Sequence, residues 1–287
     1  MLNVLAPAKI NLTLEVLAKR SDGFHEIRSV IQTINLCDSL RFQLSEGIEL
    51  ESSVPNWIPE ESLVSKAVSL LKEVSGCRMG VAIEVIKRIP SVSGLGGDSS
   101  DAAVVLHGLN RFWRLGLSRE ELVELAWRLG SDVAFFLYGG TALLEGRGER
   151  VTPLPPLPPM WVVLMMPPVP ELRRKTEQLY ASVKASHYTD GQITDRFVAQ
   201  LTGCGEVSPS MVFNVFGSVA LGRFSGLEAY WQQFLNAGAG EVHLAGSGPA
   251  LFTLVKDKAQ AEKLYQNLQR QGLESYLTNT LAAKEKA

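Results

Sequence analysis

The chain has 287 residues, 46% of them hydrophobic and 20% charged, the makeup of an ordinary globular protein with room for two modest domains. A formal net charge of −2 gives no global attraction to nucleic acid, so any anion must be held locally. Cys37, Cys77 and Cys204 lie far apart without a C-x-x-C pair, and neither a basic-then-apolar leader nor an apolar run of membrane-spanning length is seen. These features exclude a disulfide framework and a zinc site, and they predict a cytoplasmic protein.

In chain order, Ile10, Leu12, Leu14 and Val16 alternate with Lys9, Asn11, Thr13 and Glu15. That period predicts a half-buried strand with Lys9 and Asn11 on one face. A turn built on Asp22-Gly23 then projects Phe24, a stacking plate, next to His25, a hydrogen-bonding ring. Residues 27–36 and 39–44 read as two further strands. Ser62 to Ser75 reads as an amphipathic helix ended by Gly76, and Val81 to Ile86 as a strand.

That strand feeds the segment from Pro90 to His107, where Gly94, Gly96 and Gly97 precede Ser99, Ser100 and Asp101, and a helical pattern begins at Ala102. Glycines allow close backbone approach to a bulky anion, and a helix start adds free N–H groups and a positive dipole end. The combination reads as a phosphate cradle. It is neither a P-loop, since no Lys follows the glycines, nor the dinucleotide pattern, since Ser99 stands at its last glycine. A plain strand-to-helix turn with Asp98 or Ser99 as N-cap is the competing reading. His107, about two turns on, reads as a packing residue.

Ser118 to Leu129 carries a Ser118–Glu121 capping box and ends at Gly130. Asp132 follows, a single carboxylate before the apolar Val133 to Leu137, a setting that suits a positioned base as well as a turn former. Gly139-Gly140 and the run from Glu145 to Gly148 read as hairpin turns. The proline-rich stretch from Leu154 to Pro159 marks a domain boundary. Beyond it lie a strand at Trp161–Met166, a helix at Glu171–Lys184 with Thr176 and Tyr180 one turn apart, and a polar loop at His187–Asp195. Two or three helices reach Leu235, with Trp231 packing inward, and a β-β-α-β close from Glu241 to Thr278 holds a tight turn at Gly246-Ser247-Gly248.

Three segments, P-A-K-I-N-L, G-L-G-G-D-S-S-D-A-A and G-S-G-P, resemble in order and spacing the signature motifs of the GHMP kinase superfamily. With R-S-D-G-F-H and G-S-D-V-A-F-F added, the pattern is most similar to the branch acting on a cytidine diphosphate alcohol. The resemblance implies an α+β, two-domain GHMP kinase fold: a ribosomal-protein-S5-like α/β ATP-binding domain over residues 1–155 and a ferredoxin-like α/β domain over 156–287. It implies ATP with Mg²⁺, metal ligands unassigned, and a monomer or weak homodimer acting on a small molecule, without nucleic acid or membrane partners.

By residue, the resemblance implies that Asp132 is the base and Lys9 its electrostatic partner. Ser91, Val92, Ser93, Gly94, Leu95, Gly96, Gly97, Asp98, Ser99, Ser100 and Asp101 would wrap the ATP phosphates. Asn11, Phe24 and His25, with Thr176 and Tyr180, would hold the cytidine substrate. Gly246, Ser247 and Gly248 would buttress the phosphate loop. Two positions depart from the pattern: Phe24 replaces a usual Tyr, and Asp98 replaces a glycine and is expected to cap the helix. The rival readings are a homoserine, mevalonate or sugar kinase, and an RNA-binding relative of the ribosomal fold.

Overall fold

The computed structural model describes residues 1–203 and 207–283; Cys204 lies outside the described residues. The chain runs β1 (Leu2–Asn11), β2 (Thr13–Lys19), β3 (His25–Gln43), β4 (Ile48–Ser52), α1 (Leu63–Ser75), β5 (Val81–Ile86), α2 (Gly97–Phe112), α3 (Arg119–Leu129), α4 (Ser131–Tyr138), β6 (Thr141–Gly146) and β7 (Arg150–Pro153). It continues with β8 (Trp161–Met166), α5 (Lys175–Ser182), α6 (Gln192–Gly203), β9 (Phe213–Asn214), α7 (Phe216–Leu221), α8 (Leu227–Asn236), β10 (His243–Leu244), β11 (Leu251–Val255), α9 (Lys258–Arg270) and β12 (Glu274–Asn279). No described helix is long and apolar enough to cross a membrane.

Two compact units share this chain, and β1 and β3 run through both. One comprises residues 1–8, 36–91 and 96–139; the other comprises residues 9–35, 92–95 and 140–287. In the first unit β5 pairs antiparallel with the far end of β3 and parallel with β4. Helices α1 to α4 pack successively on one another. Gly108 of α2 lets the helix ride on the Phe42 ring, where an added Cβ would come within 3.0 Å. Local signals set the helix ends: Ser62 Oγ accepts from Ser65 N to start α1, and Gly76 ends it in the left-handed region. Ser118 and Glu121 form the expected reciprocal capping box on α3.

In the second unit β2 and β6 both pair antiparallel with the start of β3, and β7 closes a hairpin on β6. A separate four-stranded antiparallel sheet has the order β10-β11-β8-β12. Its apolar face and helices α5, α7, α8 and α9 enclose a core built around Val163, Leu179, Phe216, Phe224, Phe234 and Leu264. This is the expected β-β-α-β close, completed by β8.

Several local expectations change. Residues 27–36 and 39–44 form one strand of 19 residues, because Cys37 and Asp38 continue the extended backbone instead of breaking it. The strand at Ile10–Val16 is interrupted at Leu12 and is buried on both faces, with Thr13 and Glu15 fully enclosed. Helix α2 begins at Gly97, not Ala102, so the second half of the glycine segment is its first turn. His107 is exposed. Gly139-Gly140 links α4 to β6 and is not a hairpin turn. Helix α5 is shorter than Glu171–Lys184, and the polar stretch after His187 turns into α6 at Gln192.

Candidate active site

The apex of the glycine loop, residues 92–95, is pinned from several directions. Leu95 O accepts from Lys9 N at 2.9 Å, and Ser93 O accepts from Ala250 N at 3.1 Å. Gly94 (φ +89°) has no room for a side chain: a Cβ would lie 2.1 Å from Ala245 O and 2.8 Å from Gly248 N. At Gly246 a Cβ would meet Gly94 O and Lys9 Nζ at 2.9 Å each. The closing turn is thus packed directly on the loop apex. Lys9 is buried and donates to Asn11 Oδ1 at 2.9 Å; Asn11 Nδ2 donates in turn to Ser29 Oγ at 2.9 Å. The ammonium and the amide do share one face.

Three residues that sequence reasoning passed over hold this corner. Asn214 Nδ2 donates to Leu244 O and Gly246 O at 2.9 and 2.8 Å, fixing the closing turn. Ser29 orients Asn11. Lys175, the first residue of α5, is buried and donates to Val92 O at 2.7 Å and to Gly248 O. Thr176 meets Ser247 Oγ at 3.0 Å.

The aromatics expected to hold substrate also lie in this unit. His25 and Tyr180 stack with centroids 5.1 Å apart and planes 19° from parallel. Tyr188 meets His25 edge-on, and Phe216 supports Tyr180 in a T-shaped contact. Phe24 is exposed, with the Arg147 guanidinium 4.9 Å from its ring centre. Burial, and then the Lys19 charge, hold the His25 pKa below its ordinary value. The neutral ring keeps one donor and one acceptor, as reading a base edge requires.

The other unit carries the helical half of the loop. Helix α2 opens at Gly96 without a side-chain cap, so the expected Asp98 cap is not made. Asp98 instead reaches out from the first turn to Lys87 Nζ at 3.2 Å. Lys87 Nζ also meets Asp38 and Asp101 at 2.7 and 2.8 Å, both of them buried. Burial opposes the Lys87 charge, but three carboxylates outweigh it and raise its pKa. For Asp101, burial and then the Asp38 and Asp98 charges prevail over Lys87 and push the pKa up. One ammonium cannot fully serve three carboxylates, so both directions are consistent.

Lys87 lines a cavity of about 190 Å³ in which Val54, Trp57 and Val64 are joined by the polar Glu61, Ser91 and Asp98. Ser100 Oγ is buried in the first turn of α2 without a hydrogen-bond partner. Among the described residues no cluster of three His, Cys, Asp or Glu side chains could hold a metal by itself. Asp132 sits half-buried in the first turn of α4, a helix the sequence pattern did not reveal.

A strand, a glycine loop running into a helix start and a buttressing glycine turn define a class. Residues 62–140 match the GHMP kinase N-terminal domain and residues 223–274 the GHMP kinase C-terminal domain. A solved homoserine kinase from Cytophaga hutchinsonii, 19% identical, shares the fold over 98% of this chain and 95% of its own, with a TM-score of 0.73. Closer in sequence is the 4-diphosphocytidyl-2-C-methyl-D-erythritol kinase of Dehalococcoides mccartyi, 51% identical over 98% of this chain and 99% of that one. A crystal structure of a 4-(cytidine 5'-diphospho)-2C-methyl-D-erythritol kinase is 33% identical over 97% of this chain and 99% of its own, with a TM-score of 0.82. The chain is a GHMP kinase, and it belongs to the 4-diphosphocytidyl-2-C-methyl-D-erythritol kinase family.

Proposed function

We propose that the protein transfers the γ-phosphoryl group of ATP to the 2-hydroxyl of 4-diphosphocytidyl-2-C-methyl-D-erythritol, releasing ADP and the 2-phosphate, a step of isoprenoid precursor synthesis by the non-mevalonate route. The observation that carries this reading is the His25–Tyr180 stack. A ring pair with a neutral, edge-reading imidazole suits a cytosine and has no use in a homoserine, mevalonate or sugar kinase.

In this reading the loop from Ser91 to Asp101 wraps the triphosphate, with backbone N–H groups and the α2 dipole facing its charge. The cavity at Trp57 takes the adenine. Asn11, Phe24, His25, Thr176 and Tyr180 hold the cytidine substrate, and Gly246, Ser247 and Gly248 support the loop. Asp132 takes the hydroxyl proton, and Lys9 stabilises charge on the reacting oxygens in a direct in-line transfer. No covalent enzyme intermediate is required.

Mg²⁺ bound with ATP would supply neutralisation of the triphosphate charge. Such an ion is held largely by phosphate oxygens and water, with few protein donors. The unpartnered Ser100 hydroxyl fits that demand and is the group we assign to the ion. The sequence domains proposed are 1–155 and 156–287, supported by family matches that fall on either side of the proline run. A cytoplasmic monomer or weak homodimer completes the reading.

The test is ADP release with Mg·ATP and the diphosphocytidyl alcohol, run beside homoserine, mevalonate and galactose. Release with the cytidine compound alone is expected. Turnover of another alcohol instead would overturn the substrate assignment and leave the kinase chemistry intact.

A further inference from the structure

Lys175 is one of the residues of this corner that the expected motifs do not include. Its ammonium is buried, and both of its hydrogen-bond acceptors are main-chain carbonyls, Val92 O at the apex of the glycine loop and Gly248 O in the closing turn. The two acceptors lie 83 and 73 residues away in sequence, so one side chain ties three separate segments together. Val92 itself is strained: a β-branched residue at φ +54° occupies a backbone region that such side chains avoid. Arg174, immediately before Lys175, is also left-handed, at φ +51°. Strain of this kind persists where surrounding contacts hold it, and here the strained carbonyl is the one that Lys175 grips.

We propose that Lys175 is a positioning residue for phosphoryl transfer, its ammonium bolting the apex of the phosphate loop at Val92 to the closing turn at Gly248 so that the loop amides are set for the triphosphate. The proposal rests on the kinase reading above for its turnover arm and on the loop geometry alone for its binding arm. Bonds from an ammonium to a carbonyl are charge-assisted and weaken when the proton leaves. Burial, and then the Lys9 charge, lower the Lys175 pKa to about 8, with Glu171 opposing. The charged groups acting on it are Lys9 and Glu171, and neighbouring Arg174 is engaged by Glu177 at 2.7 Å. The bolt therefore loosens just above neutral pH in the free protein. A bound triphosphate adds negative charge to the corner and holds the proton on.

The experiment measures Mg·ADP affinity and ATP turnover on the diphosphocytidyl alcohol from pH 6.5 to 9.5, for the wild type and for Lys175→Met. The wild type should lose nucleotide affinity and kcat/KM as pH rises through about 8, while the fall in kcat alone lies at higher pH. The Met variant should turn over about ten- to a hundredfold more slowly at pH 7, bind Mg·ADP more weakly, and lack the alkaline limb. A variant with wild-type affinity, turnover and pH profile would overturn the proposal. Should the variant not fold, the wild type decides alone: a nucleotide affinity flat from pH 7 to 9.5 also overturns it. Absence of turnover in a wild type that binds Mg·ADP with the alkaline limb defeats the kinase reading and supports the bolt.

Discussion

Lys87 Nζ lies 2.8 Å from Asp101 Oδ2 and, in the same cluster, 2.7 Å from Asp38 Oδ2, so one ammonium holds the end of β5, the middle of β3 and the first turn of α2 together. Asp38 Oδ1 additionally accepts from Arg88 N and Ile89 N, which shapes the chain just before the glycine loop. The start of α2 and the chain before the glycine loop are positioned by buried charge.

Removing the shared cation should therefore be costly. Lys87→Met leaves Asp38 and Asp101 facing each other out of water, and breaking a buried pair in this way costs about 3–5 kcal/mol. The direction of the Asp101 shift adds a pH signature. A carboxyl whose pKa is raised by burial and by its like-charged neighbours takes up a proton readily, which removes the repulsion. Urea unfolding should accordingly show a larger deficit at pH 8 than at pH 5. An equal deficit at both pH values would mean that the two carboxylates do not repel in the variant.

Asp98 behaves differently, because its carboxylate is 74% exposed. A surface ion pair contributes about 0–1 kcal/mol, so Asp98→Asn should change the unfolding free energy by no more than that. It also removes a negative charge from the first turn of α2, in the loop proposed to wrap the triphosphate. The KM for ATP is expected to fall by about two- to fivefold, the worth of one screened charge at moderate distance. A higher KM would show that the carboxylate serves the nucleotide, for example through Mg²⁺.

How much of this was legible in the sequence follows from how local each cause is. The α1 and α3 boundaries were readable because Ser62, Gly76, Ser118 and Glu121 act within one turn of themselves. The closing β-β-α-β run was readable from its short alternating segments and capped helix. The joined strand β3 was not, since the partners of the buried Asp38 carboxylate, Lys87 and the Arg88 and Ile89 N–H groups, lie far along the chain. Helix α4 was hidden for a related reason: Val133 to Leu137 are consecutively apolar and show no helical stripe, and its start at Gly130 has no side-chain cap. In the site, glycines, Lys9 and Asn11 carried a pattern. Lys87, Lys175 and Asn214 did not, because each acts on backbone or carboxylates that become neighbours only in the fold.

Gly94 tests the close approach directly. In Gly94→Ala the new methyl group would sit 2.1 Å from Ala245 O, on a residue whose φ of +89° already excludes ordinary side chains. Backbone is in the way on both sides, so the loop apex must move. The expected result is a stability loss of about 1–3 kcal/mol and Mg·ADP binding at least about tenfold weaker. Wild-type nucleotide affinity in a folded Gly94→Ala protein would detach the loop from nucleotide binding.

His25 gives a pH prediction with a definite sign. Its pKa is lowered by burial and by Lys19, so the folded protein prefers the neutral ring and the unfolded chain takes up a proton first as pH falls. The stability associated with the neutral ring is complete above the ordinary histidine pKa and is lost as pH falls through and below it. Protonation also removes the ring's acceptor. The KM for the cytidine substrate should thus be flat above neutrality and rise on acidification, without a matching rise in the KM for ATP. His25→Gln should flatten that acid limb; a limb that survives the substitution belongs to another group.

Asp132 is the residue proposed as the base. It stands in the first turn of α4, where the positive end of the helix dipole favours a carboxylate and the apolar residues after it anchor the backbone. If it takes the proton of the attacking hydroxyl, Asp132→Asn removes the acceptor while changing shape very little. A positioned base contributes about 10²- to 10⁴-fold, and the loss should appear in kcat with the nucleotide affinity nearly unchanged. Binding of Mg·ADP by the variant checks that the fold and the phosphate loop are intact. A kcat within a few-fold of the wild type would remove Asp132 from the mechanism and leave the hydroxyl proton to solvent or to the transferred phosphoryl group itself.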